Sequence, residues 1–172
     1  NVDVVLVEAK QIGHGASGRN GGWLMGTLEG CDAFADDSGE LPLTARQQLT
    51  QLVSRAGEIL AKESIDCDFH HGGCIMAAAR HSVQIARAQS MLASFHGLGF
   101  GEDDYHWLTP TELSDRIQVA NPGGAVFTPH VARIQPAKLV TGLASVVKSL
   151  GVRVFEHTRA HGIHSGVIRC DR

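Results

Sequence analysis

The side chains that could carry chemistry are concentrated in the first 22 residues of the 172-residue chain. Glu8 places a carboxylate directly after a short apolar run, and a glycine-rich segment with Ser17, Arg19 and Asn20 follows it. A carboxylate at a strand end accepts hydrogen bonds from ribose hydroxyls, and the backbone N–H groups of a glycine loop bind phosphate. These residue types in this order predict part of a site for a nucleotide cofactor.

Residues 13–18 match the pattern G-x-G-x-x-G, which has two interpretations here. The pattern marks the phosphate loop of a dinucleotide site where it leaves a strand directly and opens a helix. Here residues 10–12 separate it from the apolar run, and residues 19–22 are a poor helix start. The second interpretation makes Glu8 the acidic residue that lies ~20 residues after that phosphate loop. The phosphate loop would then precede residue 1. The remaining alternative is that Glu8 is simply a solvated carboxylate at a strand end.

Two longer runs resemble one family, the FAD-dependent amine and amino-acid oxidoreductases of the D-amino-acid oxidase superfamily. The first, residues 4–22, reads VVLVEAKQIGHGASGRNGG and is similar to the branch of D-amino-acid dehydrogenases and gamma-glutamylputrescine oxidoreductases. In that branch a strand ending in E-A/K precedes a G-x-G-A-S-G-R-N-G-G loop. The second, residues 124–160, reads GAVFTPHVARIQPAKLVTGLASVVKSLGVRVFEHTRA. The two runs keep the family's order and separation, so the resemblance extends over the whole chain.

The resemblance implies an FAD site and a role for the residues of the first run. Glu8 would bind the ribose of the FAD adenosine, Lys10 would lie near the adenine, and Ser17 would donate to the pyrophosphate. Residues 19–22 would pass close to the flavin ring, where backbone donors stabilise the charge of the reduced flavin. Ala160 would contact the adenine through its backbone. The cofactor-binding residues that the resemblance implies are Glu8, Ala9, Lys10, Gly15, Ala16, Ser17, Arg19, Asn20, Gly21, Gly22 and Ala160.

The same resemblance implies that the protein oxidises the C–N bond of an amine or amino acid by hydride transfer to the flavin, with oxygen or a quinone as electron acceptor. No catalytic residue is assigned, since no nucleophile–base pair is apparent and the flavin itself takes the hydride. Arg133 could bind a substrate carboxylate through its guanidinium, or it could be a surface arginine before a helix. A non-catalytic α/β binding or interaction module derived from such a domain is the alternative function.

Two clusters of possible metal ligands are each better explained without a metal. Two cysteines and two histidines lie between residues 67 and 74, where an apolar strand begins whose side chains alternate between faces and cannot converge. Three histidines lie between residues 157 and 164, near Gly162 and Gly166, which indicate a turn. We therefore predict no metal site. The cysteines should be reduced thiols, because their wide spacing contains no CxxC pair.

Composition and charge exclude several classes of protein. The net charge of −3 and the pI near 6.4 provide no basic surface for nucleic acid. No apolar run approaches the ~20 residues that a membrane-spanning helix needs. We therefore predict a cytoplasmic protein, and attachment to the inner face of the membrane stays open. The small-molecule amine or amino-acid substrate is what the resemblance implies.

The alternation of strands and helices predicts an α/β protein, α+β overall. The resemblance implies an incomplete FAD/NAD(P)-binding Rossmann-like domain together with part of an antiparallel-sheet substrate domain. Residues 1–66 would form part of the FAD-binding domain, residues 67–132 part of the substrate domain, and residues 133–172 the return to the FAD-binding domain. The phosphate loop and the C-terminal part of the family pattern are absent from this sequence. We therefore expect a fragment of a larger oxidoreductase that holds FAD weakly.

Local signals predict where the elements lie. A strand buried on both faces should occupy residues 2–7, and a loop should occupy residues 13–30. A helix should begin near Thr44, which forms a capping box with Gln47. The other predicted elements are a strand at 71–79, a helix at 82–96, a helix capped by Thr109 with Pro110 and Glu112 in its first turn, a turn at 121–124, a strand at 125–128, a helix from Pro136 with Gly151 just past its end, and a strand at 152–155.

Overall fold

The computed structural model describes residues 3–27 and 30–171, which form two compact units. The first unit contains residues 3–23, 57–69 and 133–171. The second contains residues 24–27, 30–56 and 70–132. Each unit therefore draws on more than one stretch of the chain.

Short strands and four helices make up the described residues. The strands are β1 (Val5–Val7), β2 (Trp23–Met25), β3 (His70–His71), β4 (Cys74–Ala79), β5 (His106–Leu108), β6 (Pro122–Thr128), β7 (Val131–Arg133), β8 (Arg153–Phe155), β9 (Ala160–His164) and β10 (Val167–Cys170). The helices are α1 (Leu43–Lys62), α2 (Ser82–Gly97), α3 (Pro110–Arg116) and α4 (Pro136–Ser149), with short 3-10 turns at Ala16–Gly18 and Cys31–Phe34. None of the four helices described combines the length and the apolar character that crossing a bilayer requires.

The first unit is built on a parallel strand pair with a helix before its second strand. β1 and β8 pair in parallel, with Val7 opposite Phe155. α4 precedes β8 and is followed by Gly151, whose φ of +87° is the left-handed conformation typical of a residue just past a helix C-cap. These observations confirm the predicted helix from Pro136 and its terminal glycine.

α4 is fixed at its start by local capping and along its length by packing. Pro136 occupies its first turn, and the Gln135 side chain accepts a hydrogen bond of 2.8 Å from the Lys138 N–H. Proline suits this position because its missing N–H would have no partner within the helix. The buried cluster that α4 helps to form consists of Leu60, Ile65 and Cys67, with Phe69, Ile134, Leu139 and Val146 packed against them.

β1 differs from the predicted strand in length and in burial. It covers Val5–Val7 rather than residues 2–7, of which Val2 lies outside the described residues. Val5 and Leu6 are 46% and 40% exposed, so the prediction of burial on both faces is wrong. The physical reason is that β8 alone pairs with β1 within residues 3–27 and 30–171. A parallel strand is buried on both faces only when further elements cover the sheet.

An antiparallel sheet in the order β4–β6–β5 organises the second unit. Its side chains alternate between two faces. Met76 and Val126 belong to the cluster that α2 covers, whereas Ile75 and Ala125 pack with Leu113 of α3. A further sheet in the order β2–β7–β3 has most of its residues in this unit. The mixed architecture of the chain confirms the predicted fold class.

The start of α1 corrects one capping prediction. The helix begins at Leu43, so Thr44 lies inside its first turn and the predicted capping box with Gln47 is wrong. The carbonyl of Pro42 accepts a hydrogen bond of 3.1 Å from the Arg46 N–H. The residue that accepts the first bond of the helix is therefore Pro42, two residues before the N-cap that the side-chain signal predicted.

The start of α3 confirms the other capping prediction. The Glu112 N–H donates to Thr109 Oγ1 at 3.3 Å, and the Thr109 N–H donates to Glu112 Oε2 at 2.7 Å. Pro110 follows Thr109 in the first turn. The hydrogen bonds from Thr109 hold the pKa of the Glu112 carboxyl below its usual value. The four residues 109–112 therefore form the capping box that the sequence predicts, and they set the start of α3.

Several predicted boundaries are wrong because backbone conformation and register override the local signal. The strand predicted at 71–79 is divided into β3 and β4, and Gly73 between them has a φ of +77°. The turn predicted around Asn121 is shorter, since β6 already begins at Pro122, which is paired with Ala79. Proline is tolerated as the first residue of a strand. Long-range pairing therefore extends β6 through a segment that reads locally as a turn.

Two glycine-rich segments also contain more regular structure than predicted. The loop predicted at 13–30 contains the first 3-10 turn and β2, and its residues 28 and 29 lie outside the described residues. β9 and β10 form an antiparallel hairpin. Gly166 lies in its turn with a φ of +76°, as predicted, whereas Gly162 lies within β9 and its predicted turn is wrong.

Replacing Leu113 by alanine should destabilise the second unit, because this side chain is 0% exposed between α3 and the sheet. A large-to-small change of this kind lowers the free energy of unfolding by about 2–5 kcal/mol. Urea denaturation followed by circular dichroism measures the loss. Leu43→Ala is the matched control, since Leu43 is 61% exposed, and we expect a change below about 0.5 kcal/mol there. Equal losses in the two variants would contradict the packing described.

Candidate functional site

The first unit contains a cavity of about 310 Å³ between the end of β1, the glycine loop and α4. Here the glycine loop means residues 10–22. α4 contributes four apolar residues to the lining, whereas the end of β1 and the glycine loop contribute the polar residues Glu8 and Ser17. The lining residues are Leu6, Glu8, Ile12, Gly13, Gly15, Ser17, Val140, Leu143, Ala144 and Val147. Three residues of the sequence-predicted site, Glu8, Gly15 and Ser17, are therefore brought together on one cavity.

Glu8 is held by its backbone at the end of the parallel strand pair. Its N–H donates to Phe155 O at 2.9 Å, and its carbonyl accepts from the Thr158 N–H at 2.8 Å. Its carboxylate oxygen Oε1 accepts a hydrogen bond of 2.8 Å from the Lys10 N–H. Among the described residues the other oxygen, Oε2, has no hydrogen-bond partner, and Glu8 is one of the residues that line the cavity.

Glu156 is a site residue that sequence reasoning missed. Its Oε1 accepts a hydrogen bond of 2.7 Å from the N–H of Ile12, 144 residues away in sequence. The next residue, His157, donates its N–H to Lys10 O at 2.7 Å. The end of β8 thus fixes the path of the glycine loop. A signal in the sequence could have indicated this role, because Glu156 follows a predicted strand just as Glu8 does.

The glycine loop closes on itself through Asn20. The Asn20 side-chain amide donates to Ala16 O at 3.1 Å and to Ser17 O at 3.2 Å, and its oxygen accepts from the Gly22 N–H at 2.9 Å. The side-chain amide is therefore used on both its donor and its acceptor side within the loop. The structure gives Asn20 a role in shaping the loop, and a ligand contact through its side chain would cost these bonds.

Four of the five glycines of the loop fall into two groups. A Cβ at Gly13, which has a φ of +80°, would lie 2.8 Å from Val140 Cγ1, and a Cβ at Gly18 would overlap the backbone of Gly13. A Cβ at Gly22 would overlap the carbonyl of Ile134. By contrast, a Cβ at Gly15 would meet no atom within 4 Å. The chain's own packing requires the other three glycines, whereas Gly15 faces open space.

The remaining predicted residues lie in the same unit but outside the cavity lining. Ala9 is exposed beside Glu8, and Arg19 contacts the ring of His14, with 3.2 Å between Arg19 Nη2 and His14 Nδ1. Gly21 lies next to the ring of Trp23. The three other predicted positions are the exposed Lys10, Ala160 at the first position of β9 and the exposed Arg133 at the last position of β7.

The second unit holds a polar pair that sequence reasoning also missed. His130 Nε2 lies 2.8 Å from Asp104 Oδ1, and Asp104 Oδ2 accepts from the Gly101 N–H at 3.0 Å. The His130 carbonyl accepts a hydrogen bond of 2.8 Å from the Gly26 N–H. These bonds join three loops of the unit. No local pattern connects residues so far apart in the sequence.

The potential metal ligands do not form a site in the part of the chain that the structure describes. No group of three or more histidine, cysteine, aspartate or glutamate residues is arranged to hold a metal ion there. The thiols of Cys67 and Cys74 are buried, and burial raises the pKa of both, which keeps them protonated. His71 Nε2 instead lies 2.8 Å from Pro129 O.

Comparisons with known proteins give a consistent result. The family model described as FAD dependent oxidoreductase matches residues 1–171. Gamma-glutamylputrescine oxidoreductase of Escherichia coli strain K12 is 28% identical over 159 residues, which are 90% of this chain and 36% of that protein. The probable oxidoreductase OrdL of Haemophilus influenzae is 26% identical, again over 90% of this chain and 36% of its own length. The chain thus spans about 36% of the length of these two curated relatives.

Solved structures share the fold. The glycine oxidase of Geobacillus kaustophilus superposes with a TM-score of 0.70 at 24% identity, over 96% of this chain and 43% of that one. The L-amino acid deaminase of Proteus myxofaciens superposes with a TM-score of 0.71 at 17% identity, over 95% of this chain and 34% of that one. The predicted resemblance is confirmed, and the chain belongs to the family of FAD dependent oxidoreductases.

Proposed function

We propose that this chain is part of an FAD-dependent oxidoreductase that oxidises the C–N bond of an amine or amino acid. In this proposal the first unit binds the adenosine and diphosphate end of FAD, and the second unit belongs to the substrate domain. The observation that carries the proposal is the cavity that Glu8 and Gly15 line together, where no atom lies within 4 Å of an ideal Cβ on Gly15. It lies in a chain that matches the FAD-dependent family over residues 1–171.

The position of Glu8 supports ribose binding. One oxygen of the carboxylate is held by the Lys10 N–H at 2.8 Å, which fixes the direction of the other. A ribose hydroxyl can donate only to an acceptor, and a carboxylate at the end of the second strand is the acceptor that dinucleotide sites use. The apolar wall from Val140 and Leu143 gives the cavity a surface for an adenine face.

The open side of Gly15 supports close approach by a phosphate group. A glycine allows another molecule to approach the backbone closely, because it has no Cβ. Gly15 lines the cavity and has nothing within 4 Å of an ideal Cβ. Ser17 lines the same cavity, and its hydroxyl would donate to a phosphate oxygen.

The far end of the glycine loop would serve the flavin. Because the Asn20 amide is used within the loop, contacts there would come from backbone N–H groups and from Arg19. When bound, FAD supplies the chemistry by accepting a hydride from the carbon that bears the amine. The chain's own residues bind and orient, and Arg133 is our candidate for pairing with a substrate carboxylate.

The names of the relatives suggest the substrate class but leave a choice within it. One relative acts on an amine, gamma-glutamylputrescine, by its name, and two related structures are named for amino acids. We propose an amine or amino-acid substrate with oxygen or a quinone as electron acceptor. We further propose that turnover needs more of the family's length than this chain contains, since the chain spans about 36% of its first two curated relatives.

The proposal predicts that the chain binds FAD and ADP but not FMN, because the cavity would recognise the adenosine end of the cofactor. Isothermal titration of the 172-residue chain measures all three affinities. Glu8→Gln keeps an acceptor for the Lys10 N–H and removes the charge. A hydrogen bond to a charged group contributes about 1.5–3 kcal/mol, so FAD affinity should fall about tenfold or more.

Glu58→Gln is the control for this experiment, because Glu58 is an exposed carboxylate on α1. It should leave FAD affinity unchanged. Equal binding of FMN and FAD, or an unchanged affinity in Glu8→Gln, would contradict the proposed site.

Two glycine variants separate ligand binding from folding. Gly15→Ala should weaken FAD binding about tenfold without changing the free energy of unfolding, because Gly15 has a φ of −83° that alanine adopts and open space for the Cβ. Gly18→Ala should lower the free energy of unfolding by about 1–3 kcal/mol, because its Cβ would overlap the Gly13 backbone. Urea denaturation and FAD titration of both variants test this. A Gly15→Ala protein that binds FAD as well as the parent would show that nothing approaches this glycine.

A further inference from the structure

Hydrogen bonds join the glycine loop to the chain that leaves β8, beyond the ends of the two paired strands. Among the described residues, three backbone bonds and one side-chain bond connect residues 8–12 with residues 155–158. The backbone bonds run from Glu8 N to Phe155 O, from Thr158 N to Glu8 O and from His157 N to Lys10 O. In the side-chain bond, Glu156 Oε1 accepts from the Ile12 N–H at 2.7 Å. Replacing Glu156 therefore removes one anchor of the loop and leaves the backbone anchors in place.

Ile12 lies where the glycine loop reaches the cavity. Ile12 and the next residue, Gly13, both line it. The His14 N–H donates to Gln11 O at 2.9 Å, which closes a tight turn around these two residues. Gly13 also packs closely against the returning part of the loop, because a Cβ on Gly18 would overlap the Gly13 carbonyl. The position of Ile12 thus determines the position of the loop residues that follow it along the cavity.

Glu156 differs from Glu8 in its relation to the cavity. Glu8 is one of the lining residues, whereas Glu156 is exposed and is not among the described residues that line the cavity. A ligand in the cavity would therefore contact Glu8 directly, and Glu156 would affect the ligand through the bond to Ile12. In the first case the charge of the carboxylate matters, and in the second case the presence of an acceptor at the right distance matters.

We propose that Glu156 is a positioning residue for the cofactor, and that it holds the start of the glycine loop in the ligand-binding conformation through the Ile12 N–H. The proposal rests on the proposed function for the identity of the ligand. A segment that is ordered before binding loses less conformational entropy when the ligand arrives, so preorganisation raises affinity without a new contact. Without the bond to Ile12, the ligand must order this segment itself, and its affinity falls.

Three substitutions of Glu156 separate the reach of its side chain from its charge. Glu156→Gln keeps an acceptor oxygen at the same reach and removes the charge. Glu156→Asp keeps the charge but is one methylene shorter, and Glu156→Ala removes both. A positioning role predicts that affinity follows the reach. FAD affinity should fall about five- to tenfold in the Asp and Ala variants, the fold-change that one such hydrogen bond makes, and should stay within about twofold of the parent in Glu156→Gln.

Isothermal titration of the 172-residue chain with FAD measures these affinities. Glu8→Gln is the contrasting variant, because the same substitution should weaken FAD binding at a position that contacts the ligand. Glu58→Ala, which removes an exposed carboxylate from α1, is the surface control and should leave the affinity unchanged.

Amide hydrogen exchange measured by NMR follows the loop in the absence of any ligand. Exchange at the Ile12 and His14 amides should become about fivefold faster in Glu156→Ala and should return to the parent rate in Glu156→Gln. The Glu8 amide is the internal control. Its N–H is bonded to Phe155 O, so its rate should not depend on the side chain of Glu156.

Two results would overturn the positioning role. An affinity in Glu156→Gln as low as in Glu156→Ala, or a parent-like affinity in Glu156→Asp alone, would show that the ligand responds to the charge. A lower free energy of unfolding in Glu156→Ala, with unchanged FAD affinity and unchanged loop exchange, would show that the contact serves only the fold.

The two measurements also separate this proposal from the proposed function. If FAD binds the parent chain but neither its affinity nor the exchange rates respond to Glu156, the cofactor assignment stands and the positioning role is wrong. If the parent chain binds neither FAD nor ADP, the cofactor assignment is wrong. The exchange rates then decide the role of Glu156 in the loop: faster exchange in Glu156→Ala that Glu156→Gln reverses supports it, and unchanged rates overturn it.

Discussion

The parallel pairing of β1 with β8 is the constraint on which the candidate site depends. Its register places Val7 opposite Phe155, so the residues that follow, Glu8 and Glu156, leave the same edge of the sheet together. Each carboxylate then accepts a backbone N–H of the glycine loop, Glu8 from Lys10 and Glu156 from Ile12. Two carboxylates thus hold the start of the loop. Each uses one oxygen for this purpose, so its second oxygen is available for a ligand.

The glycine loop shows that one residue type can serve opposite purposes within a few positions. Gly13, Gly18 and Gly22 are close to backbone or side-chain atoms of the chain, so their lack of a Cβ serves folding. At Gly15 an added Cβ would meet no atom within 4 Å, so the packing of the chain does not require a glycine there. Sequence spacing cannot separate these cases, because all four are glycines in one short segment. The distinction depends on what lies opposite each residue.

The sequence predicted the features whose cause is local. The N-cap at Thr109, the proline start of α4 and the left-handed Gly151 each follow from residues within one turn, and all three are confirmed. It failed where the cause is distant: Glu156 bonds a residue 144 positions away, and β6 runs through a segment that reads as a turn because β4 pairs with it. The roles assigned to the predicted site residues stay predictions, although Glu8, Gly15 and Ser17 are found on one cavity.

The two units differ in how many large side chains they bury fully, and this affects how much a bound ligand would stabilise each of them. Of the largest fully buried side chains among the described residues, Cys67 alone belongs to the first unit, whereas Tyr105, Leu113 and Val126 belong to the second. β1 meanwhile leaves its apolar side chains half exposed. A ligand that binds only the folded state adds RT ln(1 + [L]/Kd) to stability. The same increment is a larger fraction of the total for a unit with a small core, so a ligand that binds the glycine loop would couple most strongly to the folding of the unit that carries this loop.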